Sequence, residues 1–99
     1  MRTHTKIYLE AFGFTDTDFI PSEVSGHKAV DIHHIIGRGR LGTNRIENLM
    51  ALTREEHLQF GDKKHYMVAL LTIHETNLMV NDIEYDKAWF KKMISKYEN

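Results

Sequence analysis

The segment Asn48–His57, NLMALTREEH, constrains this chain more than any other stretch. NLMAL is an apolar run of strand length, bounded by polar residues. Thr53 and Glu56, three residues apart, carry the signature of a capping box. A hydroxyl at the helix start accepts from the third helical N–H, and the Glu side chain returns to the cap backbone. A strand must therefore hand over to a helix at Thr53, and that helix carries His57. His27–Ile35, rich in Val and Ile, reads as a preceding strand, and Gly37–Glu47, with three glycines and an asparagine, as the loop between. The expected unit is a hairpin followed by a helix.

Helical periodicity governs the rest. Ile7, Ala11 and Phe14 recur at helical spacing over residues 4–13, with Gly13 as a stop signal. Met67, Leu70, Leu71, His74 and Leu78 line one face of a helix over His65–Asn77. Trp89, Met93 and Tyr97, with Phe90 and Ile94 beside them, mark an amphipathic helix over Tyr85–Tyr97, with lysines outside. The expected order is helix, strand, loop, strand, helix, helix, helix: an α+β domain that is mostly helical outside its hairpin.

The chain has 99 residues, enough for one domain with a modest core. It has no cysteine, which excludes disulfides and thiolate ligands and is compatible with a reducing cytoplasm. Glu10 interrupts the N-terminal apolar stretch, so neither a signal peptide nor a membrane span is expected. The net charge of −1 gives no global attraction to nucleic acid. Locally, Arg38, Arg40 and Arg45 fall between Gly37 and Ile46 with no acid among them, and guanidinium grips phosphate in a bidentate manner. Lys63 and Lys64 extend the basic track.

The chemistry lies in AVDIHHIIGRGRLG, residues 29–42. Imidazole binds divalent transition metals, and its unperturbed pKa lies near neutrality. Metal-assisted phosphodiester hydrolysis needs both properties: an ion to stabilise charge on phosphate oxygens and a base to deprotonate water. Adjacent side chains on a strand point to opposite faces, so His33 and His34 can do different jobs. A helix packed behind the hairpin can bring His57 to the end of the first strand. His33 and His57 are then two ligands of one ion, with open positions left for water and phosphate. His34 remains as the base. Asp31 shares a face with His33. It can accept a hydrogen bond from that ring, the reading we favour, or serve as a third ligand. His74 is read as packed or at an interface, Trp89, Phe90 and Met93 as core or a dimer face, and His4 and His27 receive no role.

DIHHI, then ENLMAL, then a His five residues on, resembles the HNH endonucleases. The motif residues fall on His34, Asn48 and His57. The resemblance implies a ββα-metal (His-Me) finger over residues 22–64, flanked by an N-terminal helix and connection (1–21) and C-terminal helices (65–99). It implies that His34 is the general base, that the Asn48 amide pins the loop between the strands, and that His33 and His57 bind the metal. Arg38 or Arg40 is expected to neutralise a neighbouring phosphate. The acid two residues before the paired His is similar to the bacteriocin DNases, although Gly61 stands where those place a further ligand His. Many members also hold a structural zinc on two Cys-x-x-Cys pairs. Ser22, Ser25, Thr53 and Glu56 occupy those places here, so no structural zinc is expected.

The function implied is metal-dependent nicking of DNA by a phage or mobile-element nuclease, acting in the cytoplasm of a bacterial host as a monomer or homodimer. The ion would be Mg²⁺ or Mn²⁺, with Ni²⁺ or Zn²⁺ as alternatives. The rival readings are a non-catalytic nucleic-acid-binding module and a phage packaging or structural subunit.

Overall fold

The computed structural model describes residues 1–37 and 43–98. Helix α1 (Thr3–Phe12) leads to strand β1 (Asp31–His34), strand β2 (Leu49–Leu52), helix α2 (Arg54–Phe60), helix α3 (Met67–Val80) and helix α4 (Lys87–Tyr97). Short 3₁₀ turns at Ile46–Asn48 and Lys64–Tyr66 precede β2 and α3. The described residues therefore form an α+β unit with one antiparallel pair of strands and four α-helices. The element order is the expected one. None of these helices is long and apolar enough to cross a membrane.

A two-stranded sheet is marginal in water on its own. Here β2 is sandwiched, with all four of its residues buried. Its alternation sends Met50 and Leu52 into a cluster with Ile35, Ile36, Leu70, Leu71, Phe90 and Met93, and so onto α3 and α4. Leu49 and Ala51 point the other way and meet Tyr8 and Leu9 of α1. Each fully buried side chain of this size contributes about 1.5–3 kcal/mol, so the layers on either side hold the pair together. Gly13 ends α1 with φ 76, in the left-handed region where a side chain would strain the turn.

Strand β1 is shorter than the expected His27–Ile35, and each end has a cause. At the start, Gly26 (φ 80) turns the chain back, so that the Ser22 N–H donates to His27 O (2.7 Å) and the Ala29 N–H to Ile20 O (2.8 Å). At the far end, the side chain of Asn48 substitutes for a partner strand. Its Oδ1 accepts from the Ile36 N–H (2.8 Å), and its Nδ2 donates to the carbonyls of Ile36 (3.0 Å) and Thr43 (3.0 Å). Asn48 is fully buried, and its amide closes both ends of the loop between the strands.

Beneath the hairpin, the side chain of Glu23 is a buried hub. Its carboxylate accepts from Tyr8 Oη (2.8 Å) and Asn77 Nδ2 (3.0 Å) and lies 2.8 Å from His74 Nδ1, while His74 Nε2 meets the carbonyl of Ile46 at 2.6 Å. The carboxylate next to it raises the Tyr8 phenol, which burial already pushes far above its ordinary value. His74 is completely buried, so it is the packed histidine of the two readings given above.

Candidate active site

Strand pairing fixes where the two adjacent histidines point. His33 lies opposite Met50 and His34 opposite Leu49, on different faces of the pair. The His33 ring meets His57 of α2, with centroids 4.6 Å apart, and the His34 ring meets His4 of α1 at 4.7 Å. His4, Ile32, His33, His34 and His57 all line one cleft of about 380 Å³ at the edge of β1, with Arg2, Gly37 and Asp62. The sequence expectation that His33, His34 and His57 converge agrees with this placement.

The hand-over at Thr53 positions His57. The capping box is complete: the Glu56 N–H donates to Thr53 Oγ1 (3.0 Å) and the Thr53 N–H to Glu56 Oε1 (2.9 Å). Ser22 Oγ also donates to Glu56 Oε1, at 2.5 Å, and itself accepts from the N–H groups of Val24 and Ser25. Burial opposes the charge on Glu56, but hydrogen bonds from Ser22, Ser25 and Thr53 outweigh it and hold the carboxyl below its usual range. Ser22, Ser25, Thr53 and Glu56 are thus joined by hydrogen bonds, which anchor the start of α2 to the chain before β1.

Gly61 lets α2 come this close. A Cβ there would collide with the His57 carbonyl oxygen, lie 2.7 Å from His57 Cδ2 and come within 3.2 Å of His33 Cε1. The missing side chain at Gly61 is the space that admits the His33–His57 pair.

Asp31 acts on a different ring from the one expected. Its Oδ2 lies 3.1 Å from His57 Nδ1, and both its oxygens accept from the Arg54 guanidinium (2.8 and 3.1 Å). The expected hydrogen bond to His33 is replaced by one to His57, because the first turn of α2 carries His57 and Arg54 together over the start of β1. Arg54 chiefly, and His57 in addition, keep the Asp31 carboxyl below its ordinary value. With Nδ1 directed to a carboxylate, His57 has Nε2 left for another partner, an arrangement typical of metal-binding histidines.

His33 is the unusual group. It is 3% exposed, and its Nε2 is buried with no hydrogen-bond partner. Burial, aided by His57, pushes its pKa down to about 4, so the ring is neutral at pH 7. A buried polar atom without a partner is costly, and a neutral imidazole nitrogen is a good donor to a divalent ion. Among the described residues, no group of three or more His, Asp or Glu side chains is arranged to hold an ion. The two imidazoles that meet here, His33 and His57, could serve an ion that keeps water or substrate in its other positions.

His34 Nε2 lies 2.8 Å from Asn44 Oδ1. An amide oxygen only accepts, so Nε2 is the donor of this bond and Nδ1 is the ring nitrogen turned away from it.

The basic loop is only partly described. Arg38 and Arg40 lie outside the described residues. Arg45 is taken up structurally: it pairs with Glu47 (3.4 Å) and Asp86 (3.2 Å), tying the loop to the start of α4. Sequence reasoning missed His4, Arg2 and Asp62 as cleft residues. For His4 a signal existed, since it stands four residues before the buried Tyr8 on the inward face of α1. Asp62 follows a helix stop and carried none.

Comparison with protein-family models, with curated proteins and with solved structures finds no match for this chain.

Proposed function

We propose that this chain is a metal-dependent HNH endonuclease of the ββα-metal type that hydrolyses phosphodiester bonds in DNA, one strand at a time. The observation that carries the reading is the buried, partnerless Nε2 of His33 in a ring packed against His57, with His34 on the opposite strand face. The hairpin, the Asn48 clamp and the packed α2 support the same assignment, as does the HNH pattern of the sequence.

In this reading His33 and His57 would hold one divalent ion, Mg²⁺ or Mn²⁺ in the cell, and its charge would supply stabilisation of the phosphate oxygens. His57 is oriented by Asp31, whose carboxylate makes the ring a stronger donor. Burial keeps His33 neutral, so it can ligate without first losing a proton. His34 works as the base: Asn44 holds its Nε2–H, and Nδ1 takes a proton from water. The water oxygen bonds to phosphorus, the bond from phosphorus to the 3′ oxygen breaks, and the electron pair leaves on that oxygen. Asn48 holds Ile36 and Thr43, and with them the loop beside His34. One such cleft cuts one strand, so a double-strand break needs two protomers or two encounters. A phage or mobile-element origin belongs to the same proposal.

A plasmid-nicking assay with Mg²⁺ or Mn²⁺, with and without EDTA, tests it. Wild type should convert supercoiled to open-circular plasmid, EDTA should stop it, and His34→Ala should reduce the rate by a factor of about 10²–10⁴, the usual contribution of a general base. DNA binding without cutting in every ion would favour the binding module, and neither binding nor cutting the structural subunit.

A further inference from the structure

Helix α4 turns two faces to different surroundings. Phe90 and Met93 are buried in the core, and Trp89, Ile94 and Tyr97 pack against it half-buried. The opposite face is exposed and carries Lys87, Lys91, Lys92 and Lys96, with no acid anywhere between Lys87 and Tyr97. At about 3.6 residues per turn these lysines form two rows. Lys87 and Lys91 border one side of the exposed face, Lys92 and Lys96 the other, and the short side chains of Ala88 and Ser95 lie between the rows. Among the described residues, none of these lysines forms an ion pair. Lys96 Nζ lies 5.8 Å from the centroid of the Tyr97 ring, a contact that leaves its charge unneutralised. Asp86, just before the helix, is already taken by Arg45 and by the Trp89 N–H, and Glu98 follows the last turn. Each row sets like charges one helical turn apart, which destabilises a helix. Elsewhere the chain avoids this: α1 exposes Glu10 one turn after Lys6, and α2 exposes Glu55 beside Arg54. A face of unshared lysines suits a polyanion.

Shape selects among polyanions. A helix that inserts into an anionic membrane surface needs a free apolar face, and that of α4 is buried in the core. The major groove of B-DNA, about 12 Å wide, admits one α-helix and is walled by phosphates on both sides. A helix with its side chains is about 10–12 Å across, so lysines on its two borders reach both walls. Ala88 and Ser95 let the helix approach the floor of the groove. The start of α4 is also tied to the cleft, because Asp86 pairs with Arg45 of the loop from which Asn44 meets His34. We propose that the exposed face of α4 is a DNA-binding surface that lies in the major groove, with Lys87 and Lys91 on the phosphates of one strand and Lys92 and Lys96 on those of the other. The choice of DNA rests on the nuclease reading, whereas the surface itself needs neither a metal ion nor His34.

The test compares full-length wild type with the double variants Lys87→Ala/Lys91→Ala and Lys92→Ala/Lys96→Ala, and with alanine or arginine at all of these positions. Lys6→Ala on α1 controls for general charge. Anisotropy of a labelled DNA duplex, and of an RNA duplex of the same sequence, is read against salt in EDTA. Each double variant should weaken DNA binding roughly tenfold and lower the slope of log affinity against log salt by about 1.8, and the full alanine variant by about twice that. The arginine variant and Lys6→Ala should keep the slope. The deep, narrow major groove of RNA does not take a helix, so the RNA duplex should bind more weakly. In the nicking assay the full alanine variant should raise the KM for plasmid and leave kcat unchanged. If wild type binds DNA in this way but nicks with no ion, the nuclease reading falls and the surface stands. If wild type nicks while the full alanine variant binds DNA with an unchanged slope, the surface is overturned and the nuclease reading stands. If wild type neither binds nor nicks, both fall. A slope lowered by only one of the two rows, or equal binding of the RNA duplex, overturns the groove placement. Loss of binding to polyglutamate with an unchanged DNA slope overturns it in favour of an acidic protein. The lysines are exposed, so alanine should leave the melting temperature equal or higher, and a fall would assign them to holding the helix and overturn the proposal.

Discussion

Lowering the pH of the metal-free protein from 7 to 4 should cost it stability at one identifiable residue. Burial pushes His33 down to about 4 from an ordinary 6.5. Between those values the unfolded chain binds a proton that the folded chain refuses, so stability rises with pH through the window and is lost as pH falls from 6.5 to 4. The gap between the two values corresponds to about 3 kcal/mol. That is a large part of the roughly 5–15 kcal/mol typical of a domain. Urea unfolding at half-unit pH steps, followed by fluorescence of the single tryptophan, Trp89, measures it. The control is His33→Gln, which cannot titrate. Asp31 and Glu56 are also held below their ordinary values and lose their contribution at lower pH, but both proteins contain them and the difference curve removes them. The wild-type curve should fall below that of the variant by about 3 kcal/mol more at pH 4 than at pH 7. Parallel curves over this range would refute the claim that His33 is buried and neutral.

Two further outcomes follow from the same geometry. Asn48→Ala removes three hydrogen bonds and leaves the buried Ile36 N–H and carbonyl without a partner; urea melts should show a loss of about 3 kcal/mol, with nicking lost as the loop is freed. Asp31→Asn keeps the shape but removes the charge facing His57 Nδ1, so calorimetric Zn²⁺ affinity should fall by about 10–100-fold, whereas Arg54→Ala should have a much smaller effect.

Much of the hairpin and its helix could be read from the sequence because their signals are local. The NLMAL run and the Thr53–Glu56 box lie within one short segment, and the pleat of a strand alone sends His33 and His34 to opposite faces. What escaped depends on how elements dock. Which ring Asp31 reaches is decided by the seating of α2, which depends on Gly61 and on the Ser22–Glu56 hydrogen bond across 34 residues. The contribution of α1 to the cleft is likewise tertiary: Arg2 and His4 are ordinary polar residues until Tyr8 and Leu9 pack against β2. Glu23 sits in a turn-rich stretch with no periodic pattern, and only the fold shows that Tyr8, His74 and Asn77 surround it. Arg45, read as a phosphate contact, was claimed by two acids, one of them 41 residues away.

Whether His33 and His57 share one ion is tested most directly by a crystal grown with Zn²⁺ and measured at the zinc absorption edge. One anomalous peak is expected about 2.0–2.1 Å from a ring nitrogen of both His33 and His57, with His34 not coordinated. A cleft with no peak between those two rings, or an ion bound only elsewhere on the chain, would contradict it.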